Sequence, residues 1–244
     1  MFTKSIPNLF TLGNLFLGMV GIMLAFDNKL SLAAIMIIIA MLCDGLDGRM
    51  ARALNAQSEL GKELDSLSDV ISFGVAPALI MYVTSFHGMH HALIWTVTAI
   101  FPMCGALRLA RFNVQSGIPG YFIGLPIPAA GGVLATLSLF HREISAPYMI
   151  IAMLILSYLM VSTVKYPNFK KVGLPKKAVM YAPVVILAAV AVAVIFPDQI
   201  SKLIFVPLVL YAAYGLKQNV EKLTRARRRH HDQSADQKVY NDHS

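Results

Sequence analysis

The chain has 244 residues, of which 57% are hydrophobic and only 14% are charged. Together with a mean hydropathy of +0.63, this composition excludes ordinary soluble domains and indicates a membrane protein. The formal net charge is +8. Because the basic residues flank apolar stretches and do not form one solvated face, we expect no nucleic-acid partner.

Apolar stretches that can cross a bilayer occur eight times along the chain, since a span needs ~20 mostly apolar residues. We therefore predict an all-α fold, a polytopic bundle of about eight transmembrane helices within residues 1–217. The first stretch is too long for the apolar region of a signal peptide and is interpreted as a retained span. The predicted helices lie near 8–26, 30–52, 64–85, 91–111, 123–140, 147–164, 178–196 and 200–216.

The basic residues predict the orientation of these helices, because Lys and Arg collect in cytoplasmic loops. With the N-terminus inside, all but three of the 21 Lys and Arg residues fall in cytoplasmic segments. The exceptions are Lys29, Arg142 and Lys202. We therefore expect a multi-pass protein of the cell membrane with both termini on the cytoplasmic side.

The second and third predicted helices carry four aspartates at their cytoplasmic ends. At 100° per residue, Asp44 and Asp47 share one stripe of the second helix, and Asp65 and Asp69 share one face of the third. Small residues lie on the same faces, and one arginine borders the first stripe. These residues are Gly48, Ala51, Gly61 and Arg52.

A short connection, residues 53–60, makes the two acidic helices neighbours. Ser58 followed by Glu59 is typical of a helix N-terminus, because the hydroxyl can cap the helix and the acid favours its first turn. The two acidic faces can then meet. We expect the four carboxylates to converge at the cytoplasmic edge of the membrane.

Four converging carboxylates in a membrane need compensation. One charge at mid-bilayer costs ~2.5–3.5 kcal/mol on insertion scales, and like charges repel each other. Two divalent cations would neutralise the four acids, and Mg²⁺ and similar hard ions prefer carboxylate oxygens. Such ions keep coordination positions for phosphate oxygens, as in the two-metal sites of phosphoryl chemistry. Small residues beside the acids either pack helices tightly or admit a ligand, and the pattern favours a ligand.

A cation transporter that uses the acids as an ion path is the alternative from another class of protein. It would need polar residues on several helices through the middle of the bilayer. This chain gathers its acids at one edge, so we regard the transporter as the remote alternative.

Residues 218–244 follow the last predicted helix and contain a basic cluster at Arg225 to Arg229. The absence of apolar periodicity predicts a mostly disordered cytoplasmic tail. The cluster either anchors the topology or is attracted to anionic lipid, at about 1 kcal/mol per basic residue near the surface.

The stretches DGLDGRMAR and GKELDSLSD have the spacing D-x-x-D-G-x-x-A-R-x8-G-x-x-x-D-x-x-x-D. This pattern resembles the signature of the CDP-alcohol phosphotransferase family, and all eight fixed positions match. The resemblance covers residues 5–165 and implies a six-helix core, to which the last two helices are an addition. Further segments resemble the integral-membrane branch whose bacterial members use serine: IPNLFTLGNLFLG at 6–18, NAQSELGKELDSLSDVISFGVAPA at 55–78, CGALRLARFN at 104–113 and GLPIPAA at 124–130.

The resemblance implies a reaction as well as a fold. It implies transfer of the phosphatidyl group of CDP-diacylglycerol to the hydroxyl of L-serine, giving phosphatidylserine and CMP, by a homodimer with two Mg²⁺ or Mn²⁺ ions. Asp69 would bind metal or act as the general base. The other implied metal ligands are Asp44, Asp47 and Asp65. The implied CDP pocket contains Gly48, Ala51, Arg52 and Gly61, with Asn8 and Thr11 as further candidates.

The motif says less about which residues bind the acceptor than about which residues bind the metal and CDP. Arg108 and Arg111, at the end of the fourth helix, either clamp the serine carboxylate or a donor phosphate, or snorkel to the interface. The same chemistry with glycerol 3-phosphate or an inositol is the alternative within the family, and these acceptors would demand further basic residues. No histidine or lysine in the motif would activate a serine nucleophile, which favours direct displacement.

Overall fold

Long apolar runs interrupted by short turns form a helical bundle in the computed structural model, which describes residues 6–86, 88–114, 121–167 and 207–213. Four helical stretches in this part of the chain are long and apolar enough to cross a membrane. The α-helices are α1 (Ile6–Phe26), α2 (Leu30–Ala53), α3 (Glu59–Asp69), α4 (Ala76–Ser85), α5 (His91–Val114), α6 (Ile127–Leu137) and α7 (Ala146–Val161).

The third membrane-spanning stretch, Glu59–Ser85, is one continuous helix with a wider π turn at Val70–Val75 between α3 and α4. Small residues let neighbouring helices approach this turn closely. A Cβ added at Gly74 would lie 3.3 Å from Pro102 of α5, and one at Gly131 of α6 would collide with the backbone of Phe73. Helices α5 and α6 thus pack against the π turn, with a glycine at each contact: Gly74 of the turn faces α5, and Gly131 of α6 faces the turn.

Helix α6 is the central helix of the bundle, and nearly all of its residues are buried. It contacts α2, α4, α7 and the π turn. A helix that is apolar all round has no solvent or lipid face, and burial on every side follows from its sequence IPAAGGVLATL. A 3₁₀ turn, Ser138–Phe140, ends it.

Six of the eight predicted spans correspond to helices or helical stretches of the structure. The fifth and sixth are shorter than predicted, at Ile127–Phe140 and Ala146–Val161. The residues missing from these two helices lie next to a small antiparallel strand pair, β1 (Tyr121–Ile123) with β2 (Lys165–Pro167). The two connecting segments are extended and lie side by side there, and the backbone N–H of Gly124 donates to the carbonyl of Val164 at 2.8 Å.

The remaining predictions fall mostly outside the described residues. Residues 178–196 and the tail at 218–244 are not described, and of the predicted span at 200–216 only the helical residues 207–213 are. The six-helix core is therefore the part of the prediction that the structure confirms.

The outer surface of the helices is apolar, as expected for contact with lipid. Large side chains on several helices are exposed by more than half of their surface, a pattern that a soluble monomer rarely shows over so wide an area. Together with the long apolar helices, this surface identifies a membrane protein. Examples are Leu9, Phe16, Met103, Leu107, Ile151 and Tyr158.

Candidate active site

The connection between α2 and α3 places the two acidic helices side by side. The hydroxyl of Ser58 accepts a hydrogen bond from the backbone N–H of Gly61 at 3.0 Å, which confirms the predicted N-cap of α3. Asn55 turns the chain with a positive φ of 48°, a conformation that asparagine tolerates better than most residues. A capped helix start and a tight turn therefore direct α3 back along α2.

Three of the four predicted aspartates meet at this end of the bundle. Asp44 and Asp47 of α2 and Asp65 of α3 each offer a carboxylate oxygen, and these three atoms lie within 4.8 Å of one another. Asp47 is 5% exposed and accepts hydrogen bonds from the Thr11 hydroxyl at 2.9 Å and from the backbone N–H of Gly48. We call this end the acidic end.

The fourth aspartate, Asp69, lies one helical turn beyond Asp65 and outside the three-oxygen group, among the described residues. It is 5% exposed and interacts electrostatically with all three other acids. The side-chain amide of Asn14 donates a hydrogen bond to its Oδ1 at 3.2 Å. The structure therefore separates Asp69 from the three-oxygen group while keeping it within the same electrostatic cluster.

A cavity of about 520 Å³ opens beside the acids. Its size lies within the range of small-molecule sites. Asp47 and Asp65 line one part of it, so a ligand in the cavity would contact the acids directly. All six residues predicted to bind CDP also line it: Asn8, Thr11, Gly48, Ala51, Arg52 and Gly61.

The glycine at the start of α3 keeps this cavity close to α1. A Cβ added at Gly61 would lie 3.0 Å from the side-chain oxygen of Asn8. Gly48 has more room, since among the described residues an added Cβ would meet only the Arg52 guanidinium, at 3.6 Å. Gly61 therefore brings two helices together, whereas Gly48 leaves space inside the cavity.

Arg108 and Arg111, predicted as a pair, have different environments. Arg108 is buried at 6% exposure, and its Nε has no hydrogen-bond partner among the described residues. Its charge interacts with Asp69 and Asp44. Arg111 instead donates a hydrogen bond at 2.9 Å to the carbonyl of Val161, at the end of α7. Only Arg108 therefore belongs to the electrostatic cluster of the acids.

Helix α5 is also joined to α3 at the acidic end. The side-chain amide of Asn113 donates to the Ser66 hydroxyl at 2.9 Å, and Lys62 donates to the backbone carbonyl of Asn113 at 3.3 Å. Ser66 in turn donates to the carbonyl of Lys62 at 3.2 Å. These bonds hold the end of α5, and with it Arg108, beside the acidic helix.

Several residues near the site were not predicted from the sequence. Asn14 is fully buried beside Asp69, and its signal was the spacing of polar residues three apart in an apolar helix. Tyr166 of β2 is also fully buried, its hydroxyl has no partner among the described residues, and its ring lies 5.3 Å from that of Tyr211. Burial raises the pKa of Tyr166, and the electrostatic interaction with Tyr211 raises it further. The Tyr166 hydroxyl is therefore protonated at neutral pH. Tyr211 interacts electrostatically with Arg108.

The arrangement combines hard oxygen ligands, a polar cavity and a buried cation. Three carboxylate oxygens this close repel one another unless a cation lies among them, and carboxylates are the ligands that Mg²⁺ and Mn²⁺ prefer. The donor set therefore fits a divalent metal ion. A phosphate-bearing ligand in the cavity would reach both such an ion and Arg52.

Comparisons with known proteins agree with this chemistry. A family model described as CDP-alcohol phosphatidyltransferase matches residues 4–164. The CDP-diacylglycerol--serine O-phosphatidyltransferase of Helicobacter pylori (strain ATCC 700392 / 26695) is 38% identical over 219 residues, which cover 86% of this chain and 89% of the relative. The Bacillus subtilis (strain 168) protein of the same name is 39% identical over 171 residues, covering 68% of this chain and 92% of the relative.

An archaeal relative is similar over a comparable length. The archaetidylserine synthase of Methanothermobacter thermautotrophicus is 39% identical over 173 residues, covering 69% of this chain and 72% of the relative. The family model alone spans more than half of the 244 residues. On this evidence, the chain belongs to the CDP-alcohol phosphatidyltransferase family.

Proposed function

We propose that the protein transfers the phosphatidyl group of CDP-diacylglycerol to the hydroxyl of L-serine, giving phosphatidylserine and CMP. The observation that carries this proposal is the meeting of three motif carboxylates within 4.8 Å beside a cavity of about 520 Å³. The names of the relatives supply the acceptor, since both the bacterial and the archaeal ones name serine. A donor with two acyl chains and a charged nucleotide matches a site at the polar end of an apolar bundle.

The metal is proposed as Mg²⁺ or Mn²⁺, with two ions per site. Asp44, Asp47 and Asp65 would hold the first ion, because their oxygens already converge. Asp69, one turn deeper, would complete the set for a second. When bound, such ions stabilise the charge that develops on the transferring phosphoryl group.

The nucleotide is proposed to occupy the cavity on the α1 side of the acids. Arg52 would pair with a phosphate of the donor, since guanidinium groups bind phosphate through two parallel hydrogen bonds. Gly48 and Ala51 leave room for the pyrophosphate close to α2, and Gly61 does so on α3. Asn8 and Thr11 line the same wall and would contact the cytidine or a phosphate.

Asp69 is proposed to take the proton from the serine hydroxyl. The hydroxyl oxygen forms a bond to the phosphorus nearest diacylglycerol, and the bond from that phosphorus to the bridging oxygen breaks, releasing CMP. Burial of Asp69 excludes water, which would compete with serine as the acceptor. The proton then leaves the site when Asp69 returns to its charged form.

A covalent serine intermediate is not part of the proposal. Ser66 donates its hydroxyl hydrogen to the carbonyl of Lys62, and Ser72 donates to the carbonyl of Asn14. Among the described residues, neither hydroxyl is held by a base that could activate it, which nucleophilic catalysis by serine requires. Direct displacement at phosphorus is therefore the favoured route.

Arg108 is proposed to bind the carboxylate of the serine acceptor. Its guanidinium is buried, carries an Nε without a partner among the described residues and lies close enough to Asp69 for their charges to interact. A carboxylate held there would present its hydroxyl near the proposed base. Arg111 is expected to contribute to packing, because it already binds the end of α7.

The site is proposed to face the cytoplasm, where CDP-activated lipid and serine are both available. The distribution of Lys and Arg supports this orientation. By resemblance to its family, the protein is also proposed to form a homodimer. Light scattering of the detergent-solubilised protein measures its mass, and a monomeric mass would contradict the dimer.

The test of the reaction uses purified full-length protein, Mn²⁺ or Mg²⁺, CDP-diacylglycerol and radiolabelled serine. We expect labelled phosphatidylserine and an equal amount of CMP, both abolished by EDTA. Asp69→Asn should insert normally into the membrane but lose turnover by at least 100-fold, a common scale for loss of a general base.

Parallel reactions with glycerol 3-phosphate and with inositol serve as controls. Product from either of these, with none from serine, would reassign the acceptor while retaining the family chemistry. Wild-type turnover by Asp69→Asn would remove this residue from the mechanism.

A further inference from the structure

Helix α1 turns one polar face toward the acids although most of its residues are apolar. Thr11 and Asn14 are three residues apart and both are buried, at 3% and 0% exposure. The Thr11 hydroxyl donates to Asp47 of α2, and the Asn14 amide donates to Asp69 of α3. One face of α1 therefore contacts acids from both neighbouring helices.

The two contacts differ in their rigidity. The single hydroxyl hydrogen of Thr11 lies within reach of two acceptors, Asp47 at 2.9 Å and the carbonyl of Pro7 at 3.2 Å. Thr11 can release Asp47 and keep a hydrogen bond. The Nδ2 group of Asn14 has Asp69 as its partner, so Asn14 cannot release this carboxylate as cheaply.

The backbone of Asn14 is also held in place. Ser72, in the π turn that follows Asp69, donates its hydroxyl to the carbonyl of Asn14 at 3.0 Å. This contact is possible because α1 approaches the π turn at Gly18, where an added Cβ would lie 2.7 Å from Ser72. The hydrogen bond between the side chains of Asn14 and Asp69 is thus flanked by a second bond, between Asn14 of α1 and Ser72 of the π turn that continues α3.

The oxygen of the Asn14 side-chain amide has no hydrogen-bond partner among the described residues. This Oδ1 atom is buried. An unpartnered buried acceptor destabilises a fold, and an apolar side chain of similar shape would avoid that cost. Asparagine at this position is therefore better explained by what its Nδ2 does to Asp69 than by the packing of α1.

We propose that Asn14 is a positioning residue that holds the Asp69 carboxylate in the orientation needed to bind metal and receive the acceptor proton. This inference rests on the proposed function and adds a residue outside the family motif. Side chains that hydrogen-bond a metal-binding group fix its orientation, and their loss typically lowers metal affinity or activity about 10–100-fold.

The test compares Asn14→Leu and Asn14→Ser with the wild-type full chain in the same detergent. Mn²⁺ affinity is measured without acceptor, from the electron paramagnetic resonance signal of free Mn²⁺. We expect Asn14→Leu to weaken Mn²⁺ binding and lower kcat, each by about 10–100-fold, with the KM for CDP-diacylglycerol changed less than about threefold. The melting temperature should be equal or higher, because Leu removes the unpartnered oxygen. Asn14→Ser keeps a hydroxyl donor on a shorter side chain. Its Mn²⁺ affinity and kcat should lie between those of the wild type and those of Asn14→Leu.

Ser157→Ala is the matched control, since it removes a buried hydroxyl that donates within α7 to the carbonyl of Met153 at 2.8 Å. It should leave Mn²⁺ affinity and kcat unchanged. Wild-type Mn²⁺ affinity and kcat in Asn14→Leu would overturn the proposal. If both Asn14 variants have a lower melting temperature and lose Mn²⁺ binding in proportion, Asn14 is a packing residue. This result would also overturn the proposal. If serine is not the acceptor, the wild-type protein shows no turnover with serine. The Mn²⁺ affinity does not depend on the acceptor and still tests the role of Asn14.

Discussion

At the scale of single residues, Arg108 and Arg111 show how environment divides the roles of identical side chains. They lie three apart on α5, yet only Arg108 is buried beside the acids, at 6% exposure. The Arg111 guanidinium donates a hydrogen bond to the carbonyl of Val161. The Arg108 Nε has no partner among the described residues, and burying such a charge costs free energy unless a ligand or an acid offsets it. Arg108 therefore has the properties of a ligand-binding residue, and Arg111 those of a helix-joining one.

We predict that Arg108→Leu raises the KM for serine at least 10-fold and lowers kcat/KM for serine by about 10–100-fold. The physical reason is the loss of a charge-assisted hydrogen bond, worth about 1.5–3 kcal/mol. Initial rates at varied serine and saturating CDP-diacylglycerol measure this effect.

Arg111→Leu is the matched variant, with the same change three residues away. We expect its KM for serine to stay within about threefold of the wild type, while its melting temperature falls by roughly 2–4 °C for each kcal/mol of lost bonding to α7. Equal effects of the two variants on the KM would argue against a separate role for Arg108.

At the scale of secondary-structure elements, α1 approaches the π turn closely beside Asp69. A π turn shifts the register of the helix that follows it, and such turns are frequent at functional sites. Here the π turn directly follows Asp69, and Gly18 of α1 packs against Ser72 of this turn. Packing of α1 therefore controls the position of Asn14 and, through it, of Asp69.

Two glycines of α1 allow this packing to be tested within one helix. We predict that Gly18→Ala destabilises the protein by about 1–3 kcal/mol, the usual cost of overpacking, because the new Cβ would lie 2.7 Å from the backbone of Ser72. Thermal unfolding in detergent and the turnover assay measure the two consequences, and both stability and kcat should fall.

Gly13→Ala is the internal control for the same substitution. An added Cβ there has no atom of the described residues within 4 Å, and alanine favours a helix by up to about 1 kcal/mol over glycine. Stability should therefore be unchanged or raised. If both alanine variants unfold alike, steric contact at the π turn is not the cause.

At the scale of the whole molecule, the distribution of basic residues supports a proposal for the orientation in the membrane. We propose that residues 1–217 form the membrane-embedded domain and that residues 218–244 form a cytoplasmic tail. The basic cluster at Arg225 to Arg229 supports this orientation, since basic residues favour the cytoplasmic side.

We predict that trypsin removes the C-terminal tail in inside-out membrane vesicles and leaves the tail attached in right-side-out vesicles, because the basic cluster at Arg225 to Arg229 is proposed to lie on the cytoplasmic side. Immunoblotting with an antibody against the residues that follow this cluster measures whether the tail is retained. Loss of the tail in right-side-out vesicles alone would reverse the orientation. A cytoplasmic marker protein controls for the sidedness of the vesicles.

The sequence by itself determined the apolar helices, the acidic motif and the family, because these depend on hydrophobic run length and on local spacing. The motif residues needed no tertiary information to be found, since 100° per residue already aligns Asp44 with Asp47 and Asp65 with Asp69. Ser58 was recognised as a cap for the same local reason. The bounds of the first four spans were accordingly predicted to within a few residues.

Only the tertiary structure decided which of these residues meet. It grouped three aspartates and set Asp69 apart beside Asn14, and it separated Arg108 from Arg111. It also made two helices shorter than predicted, next to the paired strands β1 and β2. These outcomes depend on contacts between helices that are far apart in the chain. The packing of the π turn against glycine also produces no local sequence pattern, so it could not be predicted from the sequence.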